Sequence, residues 1–61
     1  MLIIDLEDGE ATFTEVDEAT TFCEEEFGYE GFTWDALKRK CNLNQLCEFL
    51  RADEIRAWIH P

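Results

Sequence analysis

Leu2-Ile3-Ile4-Asp5-Leu6-Glu7-Asp8-Gly9 is the stretch from which the rest of the chain is read. Leu2, Ile4 and Leu6 recur at period two, so an extended backbone puts all three on one face, and the β-branched pair Ile3-Ile4 favours that backbone. Glu7-Asp8-Gly9 then supplies the Asp-Gly signal of a strand-to-strand turn. A partner strand is expected over residues 11–16, and because an isolated hairpin is unstable it must lean on the helices C-terminal to it.

From residue 17 onward the chain reads as helical. Asp17 is placed to cap a helix through residue 27 whose inward stripe is Ala19, Phe22, Cys23 and Phe27, and Gly28 is placed to end it in the left-handed conformation. Tyr29-Glu30-Gly31-Phe32 is a connector whose aromatics could add a short third strand. Thr33 stands where an N-cap belongs for a helix over 34–41, with Phe32 and Leu37 at the spacing of a hydrophobic staple. Asn42 and Gln45 have the spacing of a capping box, with Cys41 and Leu46 as its staple. Leu43, Leu46, Cys47 and Leu50 form the clearest helical stripe in the chain. Asp53 is expected to cap a last short helix carrying Ile55, Trp58 and Ile59, closed by Pro61. The expected fold class is α+β: one small domain with an N-terminal β-hairpin packed against three to four short helices. Ile4, Phe13, Phe22, Leu37, Leu46, Leu50 and Trp58 are expected among its buried residues.

Sixty-one residues suffice for one core. A domain this short hides only about 60% of the surface its unfolded chain exposes, so dimerisation or a bound partner would add to its stability. The apolar opening ends at Asp5, far short of the ~20 residues that cross a bilayer, and it has no basic flank of a signal peptide. Cys23, Cys41 and Cys47 are odd in number and form no C-x-x-C, which argues for a reducing compartment and a cytoplasmic location.

Charge is the strongest signal: 15 acidic residues against 5 basic ones, net −10. Residues 1–31 hold eleven of the acids and neither lysine nor arginine, whereas residues 32–61 hold four acids and all five bases, so the halves carry −11 and +1. Glu18, Glu24, Glu25 and Glu26 give the first helix an acidic surface, which Glu30 extends and to which the turn adds Glu7, Asp8 and Glu10. Three glutamates at the C-terminal end of a helix oppose its dipole, so local stability does not favour them there. Eleven carboxylates create a single-sign field that steers the molecule onto a basic groove and suppresses other partners.

No catalytic constellation is expected, and no cofactor. The one histidine, His60, is beside the terminal Pro61, and the chain has no glycine-rich phosphate loop, G-x-S-x-G or H-E-x-x-H. Cys23, Cys41, Cys47 and His60 make up a Cys₃His set, but the closest two are separated by five residues rather than the two to four of a zinc knuckle, and the thiols fall on apolar stripes. The stretch from Asp5 to Glu10 lacks the ligand order of a calcium loop.

The expected partner is therefore a basic protein surface of the kind nucleic-acid-processing enzymes present, with Glu7, Asp8, Glu10, Glu18, Glu24, Glu25, Glu26 and Glu30 as the contact residues. In size and charge the chain resembles the small acidic inhibitors, DNA or RNA mimics, that phages and mobile elements deploy against CRISPR and restriction systems. That resemblance implies inhibition by occupying a phosphate-binding surface. A first alternative is a helix-turn-helix-like nucleic-acid-binding or transcription-regulating module over residues 34–59, using Lys38, Arg39 and Lys40, although the molecule as a whole repels phosphate. A second is a structural subunit stabilised by oligomerisation, possible as a homodimer; no membrane partner is expected. If the cysteines are core residues, a chelator will leave the melting temperature unchanged. A structural zinc contributes on the order of 10 kcal/mol, so a drop on chelation would overturn the assignment.

Overall fold

The computed structural model describes residues 1–61 as a three-stranded antiparallel sheet with three helices, an α+β domain. Strands β1 (Leu2–Leu6) and β2 (Gly9–Phe13) form the hairpin, in the register Leu2 to Phe13, Ile4 to Ala11 and Leu6 to Gly9. The ladder starts earlier than Ala11 because the turn is only Glu7 and Asp8. Both keep negative φ, and Gly9 at φ 149° takes up the reversal, a conformation a side chain would resist.

Helix α1 (Val16–Phe27) ends as expected, with Gly28 left-handed at φ 73° and its N–H bonded to the Glu24 carbonyl. Its start differs. Glu15 is the N-cap and makes no side-chain cap bond, while Asp17 and Glu18 fall in the first turn, where negative charge suits the dipole. Helix α2 (Phe32–Lys40) starts at Phe32, not after Thr33, with Gly31 at φ 101° before it. The expected staple is not made, since Phe32 is 89% exposed. Trp34, not Phe32, is the aromatic of this helix's first turn that packs into the fold. Helix α3 (Leu43–Ala52) opens on the expected capping box: Asn42 Oδ1 accepts from the Gln45 N–H at 2.8 Å, and Gln45 Oε1 accepts from the Asn42 N–H at 2.9 Å.

The expected fourth helix is a strand. Asp53 closes α3, Glu54 turns the chain at φ 65°, and β3 (Ala57–Ile59) pairs with β1, opposing Leu2 to Ile59, Ile3 to Trp58 and Ile4 to Ala57. Seven residues are too few for a stable helix, while the free edge of β1 offers a ladder of unpaired N–H and C=O groups. The third strand therefore comes from residues 57–59, and the connector after α1 contributes none.

The strand order β2-β1-β3 makes β1 central. Leu2 and Ile4 face the helices and, with Ala19, Cys23, Leu46, Cys47, Leu50, Trp34 and Ala57, form the core. Phe13, Phe22 and Leu37 are half-buried against it rather than enclosed. Trp58 departs from expectation: opposite Ile3, it lies on the outer face of the sheet and is 37% exposed. Replacing Ile4 with alanine is expected to lower unfolding stability by about 2–5 kcal/mol. Phe32→Ser should change it by no more than about 0.5 kcal/mol. Urea titration of both variants checks the pair; equal losses would contradict this core.

Candidate functional site

The hairpin turn, the last turn of α1 and the segment between α3 and β3 meet at one end of the molecule. They enclose a cleft of about 630 Å³. Its lining includes five carboxylates, Asp5, Glu7, Asp8, Glu26 and Glu54, drawn from residues far apart in sequence. Leu6, Phe27 and Ile55, each packed on the core, line it as well. Arg56 is the one base there; its Nε lies 3.4 Å from Asp5 Oδ2. A cleft with apolar and anionic lining suits a long cationic side chain, whose methylenes and charged head have different needs.

The structure divides the acidic residues expected to act together. Glu7, Asp8 and Glu26 share the cleft. Glu18 and Glu25 lie beside Thr21 and Phe22 along the exposed face of α1. Glu10 opposes Asp5 across the outer face of the sheet, and Glu30 is exposed in the connector between α1 and α2. Asp5 and Glu54 line the cleft although the sequence does not point to them. Asp5 alternates out of the β1 core face, a readable signal, but the approach of Glu54 depends on β3, which reads as helix.

Glu24 has another role. Its Oε2 accepts a hydrogen bond from the Trp34 indole Nε1 at 2.8 Å and pairs with Lys38 Nζ at 2.5 Å, tying α1 to α2. The Lys38 and Trp34 bonds hold its carboxyl below the ordinary glutamate value, and the same carboxylate raises the Lys38 ammonium. Trp34 also stacks on Tyr29, ring centres 4.9 Å apart and 18° from parallel, and Phe49 packs against both. The Tyr29 hydroxyl donates to Asp53 Oδ2 at 2.5 Å; burial, then that carboxylate, push its pKa up. Phe27, Phe22 and Phe13 continue the aromatic contacts back to β2.

The three cysteines are free. Burial pushes the Cys23 thiol up to about 11, with Cys41 and Glu24 adding to the shift, and burial raises Cys41 and Cys47 too. Neutral, enclosed thiols pack as small apolar groups. No three of the histidine, cysteine, aspartate and glutamate side chains are grouped to hold a metal ion. No helix is long and apolar enough to cross a membrane. Comparison with protein-family models, with curated proteins and with solved structures finds no match to this chain.

Glu24 thus stabilises the fold, whereas its neighbours Glu25 and Glu26 are exposed. Glu24→Lys is expected to lower the melting temperature, and Glu25→Lys and Glu26→Lys to leave it unchanged or slightly higher. The tie also has a pH signature. A lowered carboxyl pKa contributes stability above the ordinary glutamate value and loses it as pH falls through the lowered one. The raised ammonium contributes below the ordinary lysine value and loses it as pH rises through the raised one. Melting curves of wild type and Glu24→Gln should differ between those limits and converge in acid; curves that coincide at neutral pH would remove Glu24 from the fold.

Proposed function

We propose that this chain is a binding protein, not an enzyme, whose carboxylate cleft and acidic α1 face dock onto a basic, nucleic-acid-binding surface of a partner protein. The convergence of Asp5, Glu7, Asp8, Glu26 and Glu54 on one cleft is the observation that supports this reading most. These acids need not be adjacent merely to keep a protein soluble, and gathering them raises the local field over what the net charge alone provides. Glu18 and Glu25, with Glu10 and Glu30, extend the negative surface, and Lys38, Arg39 and Lys40 are confined to α2. A surface of this kind accelerates encounter with a phosphate-binding groove and excludes nucleic acid from it once bound. The biological setting we propose is counter-defence in a cytoplasm, as in inhibitors of CRISPR or restriction enzymes.

The structure also offers an observation for the oligomeric-subunit reading. The outer face of the sheet has no helix over it, and there Trp58 lies beside Ile3, with Met1 also exposed. The nucleic-acid module draws less support, because its third helix is β3.

A triple variant, Glu7→Lys, Asp8→Lys and Glu26→Lys, tests the docking reading alongside a salt-dependent pull-down. Wild type is expected to recover a basic nucleic-acid-binding protein that competitor DNA and rising salt both release. The variant should melt normally and associate with that protein at least tenfold more slowly. Normal melting with an unchanged on-rate would overturn the assignment; recovery of nucleic acid itself, or of this chain alone, would favour one of the two other readings.

A further inference from the structure

Helix α2 is attached differently from every other element. The close pairings are β1 with β2 and β3, α3 with β3, β1 and α1, and α1 with β2; α2 enters none of them. Seven of its nine residues are exposed, and its one enclosed side chain, Trp34, is 2% exposed. That indole is held by the Tyr29 stack, the Phe49 ring and the Glu24 carboxylate, to which Lys38, one turn further on, also binds. No side chain caps the helix at its start. Gly31 precedes it at φ 101° and Gly28 lies three residues earlier at φ 73°, so the chain entering α2 turns at two residues free of Cβ restraint. On the far side Cys41 is extended.

We propose that α2 is a latch that detaches and returns as a unit while the sheet, α1 and α3 stay folded, and that its release adds the Glu24 carboxylate to the docking surface. The second half rests on the binding function proposed above. Detachment breaks one indole hydrogen bond, one ion pair and the burial of one tryptophan with its flanking leucine, and it leaves every strand pairing and the α1–α3 contact intact. Openings of this limited extent lie well below global unfolding in free energy. A helix of nine residues does not hold its shape once undocked, so the released segment loses its helical hydrogen bonds too. Lys38 occupies, within the chain, the position that a basic partner's ammonium or guanidinium would take on Glu24. Such a partner binds the open state better than the closed one, and that difference shifts the latch.

Hydrogen exchange on the full chain separates the two halves. Amides bonded within α2, from Asp35 to Cys41, should exchange at least tenfold faster than those of Ile3, Ile4 and Asp5 in β1. Glu24→Gln keeps an oxygen for the indole but removes the charge; it should speed α2 exchange several-fold further and leave α2 the faster of the two, with β1, which exchanges through global unfolding, quickened by no more than the loss of overall stability. One common rate for α2 and β1, or α2 exchange unmoved by Glu24→Gln, would overturn the latch. For the second half the probe is a lysine-rich peptide in ~0.15 M salt. Lys38→Ala and Lys40→Ala change the net charge equally, but only Lys38 pairs with Glu24. Lys38→Ala should strengthen peptide binding several-fold more than Lys40→Ala does. Equal effects would overturn the hand-over of Glu24, as would a wild type that ignores the peptide; that last result would sink the docking function while leaving the exchange result to decide the latch.

Discussion

β1 needs hydrogen-bonding partners on both edges, and nearly every other feature of the molecule derives from meeting that need. Leu2 and Ile4 are fully enclosed on its inner face, so its backbone groups have no access to water from that side. One edge is satisfied locally by β2. The other is satisfied by residues from the opposite end of the chain, and the pairing extends beyond β3: the Met1 ammonium donates to the His60 carbonyl at 3.0 Å, and the His60 N–H to the Met1 carbonyl at 2.8 Å. The three helices are thus one long connection that has to bring residue 57 back beside residue 4. α3 carries most of that burden. It lies against both β1 and β3, and its capping box fixes where it starts.

The charge distribution reflects the same architecture. Helices cover one face of the sheet only, so the acids of β1, the hairpin turn and the exposed side of α1 remain in water, where mutual repulsion costs least. Glu24 is the exception because it has two donors waiting for it. Three consecutive glutamates consequently serve different ends: Glu24 faces α2, Glu25 faces solvent along α1, and Glu26 faces the turn. A helix separates successive side chains by about 100°, which is enough to distribute neighbours in sequence among different surfaces.

Features set by local chemistry were legible in the sequence. The period-two face of β1, the stop at Gly28, the capping box at Asn42 and the stripe ending at Leu50 all depend on residues within a turn or two of one another. The features that escaped reading depend on contacts across the fold. Asp53 to Ile59 has helix-like spacing, and only the open edge of β1 makes it a strand; with that reversal Trp58 moves from the core to the outer sheet face and Glu54 into the cleft. Glu24 was likewise indistinguishable from Glu25 and Glu26 in a run of identical residues, since the indole that singles it out is ten positions away.

Glu54 holds the one left-handed backbone in the chain that is not glycine. For a residue with a Cβ that conformation is disfavoured by roughly 1–2 kcal/mol, and glycine or asparagine would make the same turn with less strain. Either would also empty one side of the cleft of its charge. The turn between α3 and β3 is therefore built below its attainable stability, and what the domain holds in return is an anionic group on a short bend tied back to α3 by the Glu54 N–H to the Arg51 carbonyl and the Ile55 N–H to the Leu50 carbonyl. Strain kept at a charged surface position fixes the direction of that charge relative to the sheet.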